Sequence, residues 1–215
     1  MQKIYTSLNP EKALIWRITH ISNLTWILEN GLHAANSPIQ ACYKPIGNLE
    51  VINRRNNRKV PLSPYGVLSD YIPFYFTPFS PMMLNILTGR GVAQHQKNDL
   101  VIFVASLRTI EKLGIKFLFT DRHAYFELAN YFNDLEDLAK LDWKLWQHRD
   151  FQRDPDAPEK MDRYQAEALI HRYLPIENIE GIVCYTNELE LQIKELVNER
   201  GLSLKVIARP TWYFE

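Results

Sequence analysis

The sequence predicts a mixed α/β domain of the α+β kind, and three observations carry that prediction. Apolar runs of strand length are interspersed with segments of helical spacing, with no regular strand–helix–strand rhythm. At 215 residues, 46% of them hydrophobic and 23% charged, the chain is long enough to enclose one sizeable core. No internal repeat or low-complexity tract divides it, so 1–215 is expected to be a single domain.

The elements follow in order. Residues 13–20, "ALIWRITH", alternate Leu14, Trp16 and Ile18 with other neighbours and predict an early strand. Ser22 is expected to cap a short helix, "NLTWILEN", that stops at Gly31. Residues 35–66, with Asn, Pro, Gly and the basic cluster "NRRNNRKVP", lack apolar periodicity and predict a long, partly helical loop. "YIPFYFTP" (71–78) is β-prone. In "SPMMLNILTG", Ser80 reads as N-cap, Pro81 as first helical residue and Gly89 as the stop. "DLVIFVAS" (99–106) predicts a buried strand, "LRTIEKLG" a helix and "KFLFTD" (116–121) another strand. From Ala124 to about His148, Leu128, Phe132, Leu135, Leu138 and Leu141 recur at helical spacing. A charged loop (150–162) then precedes the strand-like "QAEALIHRYL", "EGIVCYT" and "LSLKVIA", with a helix at 188–200.

Composition excludes several classes. No apolar run approaches the roughly 20 residues that cross a bilayer, and "MQKIYTSLNPEK" lacks the apolar centre of a secretory signal. Cys42 and Cys184 are too far apart for metal-like spacing, which fits a reducing cytoplasm. Twenty-five basic and 25 acidic residues give zero formal charge, so a nucleic acid would be held by a local patch. GxGxxG after a strand, GxxxxGK[ST], HExxH and GxSxG are missing, and the six histidines are too scattered to suggest a metal set.

One stretch stands out. In "MDRYQAEALIHRYLP" (161–175), Glu167 interrupts a core-like pattern, and strand geometry would put Gln165 and Glu167 on one face. Two readings are open: an edge strand with two solvated polar residues, or an acid desolvated for a purpose.

Gln-x-Glu at the start of a late strand is similar to the catalytic motif of mono-ADP-ribosyltransferases, whose first strand carries an Arg or His, as Arg17 and His20 do in "WRITH". More specifically, the chain resembles the DarT family of bacterial toxins, which ADP-ribosylate thymidine in single-stranded DNA. The matching blocks are "ALIWRITHISNLTWILENGL", "NRRNNRKVP", "DYIPFYFTPFSPMM", "FLFTDRHA", "RYQAEALI" and "WYF", in order from about residue 13 to 214.

The resemblance implies a two-sheet ADP-ribosyltransferase core with helical insertions and a nicotinamide cleft between the sheets. It implies an NAD-binding element at about 39–57 and a substrate loop at about 121–167. NAD is then the co-substrate and no metal is expected. The expected partners are single-stranded DNA and a cognate macrodomain antitoxin, in the cytoplasm and away from any membrane. The resemblance makes Glu167 and Arg55 catalytic and gives Arg17, Ile18, Thr19, His20 and Arg55 to the cofactor. Met82, His123, Arg122, Arg163 and Gln165 would face DNA, with Lys160 and Arg172 as further phosphate contacts. Two alternatives remain at this level: the same fold with another acceptor (guanine in DNA, RNA or protein), or a non-catalytic nucleic-acid-binding module.

The chemistry suits these residue types. Nicotinamide leaves as a neutral pyridine, so one carboxylate suffices where a typical glycosidase needs two. A carboxylate on the ribose 2′-hydroxyl gains strength as the sugar becomes cationic. Family accounts make Arg55 the base, but a guanidinium with a pKa above about 12 is a poor one. Arg55 would instead stabilise the thymine anion and the pyrophosphate, with proton loss assisted by water or Glu167. A single strand exposes the pairing edge of the base without the cost of flipping.

Overall fold

The computed structural model describes residues 4–39, 43–152 and 154–214. Cys42, with residues 40–42 of the expected NAD-binding element and Arg153 of the expected substrate loop, therefore lies outside the described residues.

The first half of the chain folds as β1 (Leu14–His20), α1 (Leu24–Asn30), β2 (Leu32–His33), α2 (Leu49–Arg55), β3 (Tyr71–Tyr75) and α3 (Pro81–Thr88). Then come β4 (Leu100–Ser106), α4 (Leu107–Lys112), β5 (Phe117–Thr120), β6 (Tyr131–Phe132), α5 (Trp143–His148) and α6 (Lys160–Arg163). The remainder forms β7 (Glu167–His171), β8 (Tyr173–Leu174), β9 (Gly181–Cys184), α7 (Asn187–Glu199) and β10 (Lys205–Ala208).

Eight strands bond in the order β10-β9-β4-β1-β3-β7-β5-β6, and β2 pairs with β8 apart from them. All pairings are antiparallel except β10 with β9. β1 and β4 are in register along their whole length, Leu14 opposite Ser106 through His20 opposite Leu100. β3 and β7 are equally complete, from Tyr71–His171 to Tyr75–Glu167. Between β1 and β3, however, one pair alone forms, Trp16 with Tyr75. The sheet is thus two four-stranded leaves, β10-β9-β4-β1 and β3-β7-β5-β6, meeting at a one-pair seam, which is the expected two-sheet core.

β4 is buried at every position, as its unbroken apolar run predicts for a strand covered on both faces. In α3, Ser80 accepts the Met83 N–H, Pro81 occupies the first turn and Gly89 closes in the left-handed region, as anticipated. Two helix expectations fail. Ser22 caps nothing: His20 Nδ1 accepts the Ser22 N–H, Ile21–Asn23 form a 3-10 turn, and Asn23 precedes α1 without a side-chain cap bond. Residues 124–148 are not one helix but a turn, β6, a 3-10 segment (Leu135–Lys140) and α5. Side-chain acceptors override the apolar spacing there, because Asp121 takes the Asn130 N–H, Asp134 the Glu136 N–H and Asp142 the Leu145 N–H.

Candidate active site

A cavity of about 410 Å³ opens beside the seam, with walls supplied by both leaves, by α2 and by the segment before it. β1 contributes Arg17, Ile18 and Thr19, β3 contributes Pro73 and Tyr75, and α3 contributes Met82 and Asn85. Arg55, His123, Gln165 and Glu167 complete the polar part of the wall.

Glu167 begins β7 and is 2% exposed. Its backbone N–H donates to Thr120 Oγ1 at 3.2 Å, which fixes where the strand starts. Its carboxylate accepts from Arg55 Nη1 at 3.0 and 3.3 Å and from the Ala124 N–H at 3.2 Å. His123 Nδ1 lies 3.3 Å away. That nitrogen accepts the Tyr125 N–H at 3.1 Å when unprotonated, and donates to Glu167 when it carries the proton. Burial alone pushes the Glu167 carboxyl up, but the Arg55 charge, His123 and the two kinds of donor outweigh it and hold the group below its ordinary value. The residue is an ionised carboxylate out of bulk water, so the desolvated reading of this stretch is the correct one. Gln165 precedes the strand, in the turn after α6, and donates to the Met161 carbonyl at 3.2 Å, so strand alternation does not place it beside Glu167.

Arg55 closes α2, whose N-terminus is capped by Asn48 accepting the Glu50 and Val51 N–H groups. Of the three arginines in "NRRNNRK", only Arg55 reaches the carboxylate. Arg54 pairs with Glu50 on the exposed side, and Arg58 donates to the Phe126 carbonyl. Arg55 Nη2 is buried without a hydrogen-bond partner, a donor set facing nothing in a site that could accept an anionic or carbonyl ligand.

Arg17 stands where the ladder between the leaves has opened. Its Nη1 donates to the Pro73 carbonyl at 2.9 Å, bridging from β1 to β3. Burial pulls its guanidinium below the ordinary value; Tyr43 and Tyr75 oppose that and Arg55 adds to it. Tyr75, the register partner of Glu167, donates its hydroxyl to Met82 Sδ at 3.3 Å. Its phenol is pushed upward by burial and then by Glu167, so it stays a neutral donor. Thr19 accepts from Asn23 Nδ2, which also donates to the Lys44 carbonyl while Asn23 Oδ1 takes the Lys44 N–H. Asn23 and Tyr43, both on the cavity wall, escaped sequence reasoning, since a single Asn or Tyr carries no motif.

The structure thus brings Arg17, Ile18, Thr19, Arg55, Met82, His123, Gln165 and Glu167 to one cavity. Five expected site residues lie off its wall: His20, Arg122, Lys160, Arg163 and Arg172. His20 is off the wall, bonded through Nδ1 to Ser22 and through Nε2 to Lys44 Nζ at 2.9 Å. Arg122 pairs with Asp121, and Arg163 with Glu159 and Asp142. Lys160 is likewise engaged, with Asp150. In β3, Tyr71 and Phe74 are buried and Tyr75 is only partly covered, and Phe76, just after the strand, is buried too.

An anionic carboxylate beside a buried guanidinium, in a cavity of about 410 Å³, suits charge stabilisation at a sugar carbon. Residues 16–214 match the family described as "ssDNA thymidine ADP-ribosyltransferase, DarT". The chain is 50% identical to the DNA ADP-ribosyl transferase of Escherichia coli O127:H6 (strain E2348/69 / EPEC) over 210 residues, 97% of this chain and 96% of the other. Thermus sp. 2.9 DarT in complex with ADP-ribosylated ssDNA superposes with a TM-score of 0.87 at 36% identity, covering 96% of this chain and 98% of that one. The same Thermus protein in complex with NAD+ superposes with a TM-score of 0.83. A more distant relative, 24% identical over 95% of this chain and 50% of its own length, is the DNA ADP-ribosyl transferase-DNA ADP-ribosyl glycohydrolase fusion protein of Thermosipho africanus.

Proposed function

The chain belongs to the DarT family of ssDNA thymidine ADP-ribosyltransferases, and from that premise we propose how its own residues divide the work. It is an NAD-dependent DNA ADP-ribosyltransferase: the bond from ribose C1′ to nicotinamide breaks, the bond from C1′ to a thymine ring nitrogen forms, and the ring proton leaves to solvent. The observation that carries the assignment is the buried ion pair of Glu167 with Arg55, whose second nitrogen Nη2 is unsatisfied.

Glu167 is the group that holds the ribose 2′-hydroxyl and stabilises the cationic sugar. Arg55 fixes the carboxylate through Nη1 and offers Nη2 to the substrate's phosphate or to the thymine anion. Arg17 and the backbone at Ile18 and Thr19 seat the nicotinamide end, and Met82, His123 and Gln165 face the acceptor base. The segment 39–57 serves as the NAD-binding element and 121–167 as the substrate loop. His20 acts through Lys44, and Arg122 and Arg163 meet DNA only if they leave their carboxylate partners. A cytoplasmic location fits the two substrates, and no helix among the described residues is long and apolar enough to cross a membrane. A macrodomain antitoxin that removes the modification completes the reading, supported by the glycohydrolase fused to the Thermosipho relative.

Incubation with NAD and a thymine-containing single-stranded oligonucleotide gives a product heavier by one ADP-ribose, read by mass spectrometry. Equal labelling of oligonucleotides that lack thymine would refute the acceptor assignment.

A further inference from the structure

The catalytic carboxylate is held partly by a backbone group, the Ala124 N–H, in the turn that follows β5. A lone N–H in an irregular turn keeps its aim only if that turn is held in place. Two side chains hold it here. Thr120, 0% exposed, donates its hydroxyl to the Arg122 carbonyl at 2.6 Å and accepts the Glu167 N–H at 3.2 Å on the same oxygen. Tyr131 donates its hydroxyl to the Ala124 carbonyl at 2.5 Å. The two residues are direct register partners across β5 and β6. The cross-strand pair therefore grips the turn at Arg122 and again at Ala124. His123, whose ring nitrogen faces the carboxylate, lies between the two grips.

We propose that Thr120 and Tyr131 are positioning residues for the transfer reaction, holding the Asp121–Ala124 turn so that the Ala124 N–H and the His123 ring are aimed at Glu167. Neither side chain touches the cavity wall as the other residues do; each acts through the turn. Without the Thr120 hydroxyl, the Arg122 carbonyl and the Glu167 N–H lose a shared partner inside the protein, and the turn shifts to find others. Without the Tyr131 hydroxyl, the Ala124–Tyr125 peptide loses its anchor, and Ala124, whose own N–H lies in the preceding peptide, can shift and take that N–H off the carboxylate. Either change takes donors away from an anion that burial already disfavours. The inference rests on the catalytic role given to Glu167 above, and its test has an arm that needs no reaction.

The variants are Tyr131→Phe and Thr120→Val, which remove only the hydroxyls, and Thr120→Ser, which keeps one. Glu167 is followed by carbon-13 NMR of the labelled carboxyl group across a pH titration, in the full chain. Its midpoint is expected to rise in Tyr131→Phe and Thr120→Val and to return toward wild type in Thr120→Ser. In the activity arm, with NAD and a thymine oligonucleotide, kcat falls roughly tenfold, as one lost hydrogen bond in the transition state would give. KM for NAD changes little, and the acidic limb of the pH–kcat profile moves to higher pH. A purely architectural pair would lower the melting temperature and leave both the carboxyl midpoint and the pH limb in place, which would overturn the proposal. If one variant fails to fold, the other still reads the same midpoint. Wild-type protein that does not label thymine would refute the functional reading instead, and the midpoint shift would stand apart from that result.

Discussion

Arg55 and Glu167 are 112 positions apart in the chain, yet Arg55 Nη1 sits 3.0 and 3.3 Å from the two carboxylate oxygens, with both side chains buried. Substituting Glu167→Gln keeps the shape and removes the charge proposed above to stabilise the sugar cation. Turnover is expected to fall by about 10²-fold or more, on the order of 3 kcal/mol in the barrier. The rate at which a thymine oligonucleotide gains one ADP-ribose measures it, and an unchanged rate would strip Glu167 of its role.

Removing the arginine alone strands a buried anion. Arg55→Ala is therefore expected to destabilise the fold by about 3 kcal/mol at neutral pH, the usual scale for breaking a buried pair from one side. The double variant Arg55→Ala/Glu167→Gln should recover much of that loss, because no charge is left unpaired. Thermal or denaturant melts of the four proteins decide it; strict additivity of the two single changes contradicts the prediction.

The ionisation of Glu167 also ties stability to pH. Its carboxyl is held below the ordinary value of 4.5, so the folded state binds fewer protons at this site than the unfolded state near that pH. The stabilisation is fully present above about pH 4.5 and is lost as pH falls through the lower, folded value. Melts from pH 7 down to pH 3 should show wild type losing stability more steeply than Glu167→Gln. Parallel curves would count against the depressed carboxyl.

Access to the cleft is expected to be NAD-dependent. Asn36, Pro38 and Ile39 are exposed, while Ala35 before them and Tyr43 and Lys44 beyond them line the cavity. NAD seated on that wall should slow proteolytic cleavage within 35–66 several-fold. Equal cleavage with and without NAD would argue that the segment does not respond to the nucleotide.

Gly31 tests the frame behind the site. It ends α1 with φ +76°, and an added Cβ would lie 2.8 Å from the Leu174 carbonyl oxygen in the neighbouring β8. Gly31→Ala combines left-handed strain with a backbone clash, and about 2 kcal/mol of stability should be lost. A melting temperature equal to wild type would mean that β8 yields freely at that point.

Much of this was readable before the fold was known. β4 and α3 are local features, one a continuous apolar run and the other a Ser-Pro start with a Gly stop, and both appear where those signals put them. The region 124–148 misled because Leu and Phe at helical spacing describe a buried face but say nothing about Asp121, Asp134 and Asp142, which claim the backbone donors that a helix would use. Glu167 drew attention as an acid in an apolar strand, and its burial explains why. The rest of the site is non-local. That Arg55 and not Arg54 or Arg58 meets the carboxylate depends on how α2 is rotated, and that Tyr75 lies beside Glu167 depends on strand register. Arg122 and Arg163, expected to face DNA, pair instead with Asp121 and Glu159 close by in the sequence and with Asp142 across the fold.

The single Trp16–Tyr75 pair has a mechanical meaning. Arg17 rides on one leaf and Glu167 on the other, and past that pair what spans the gap is a guanidinium on a carbonyl and not a ladder. A change in the angle between the leaves alters the distance from Arg17 to Glu167 while every long strand pairing stays intact. Past the seam the two leaves are joined by the apolar core they share and by the Arg17–Pro73 hydrogen bond, so the polar walls of the cavity face each other with no strand ladder between them.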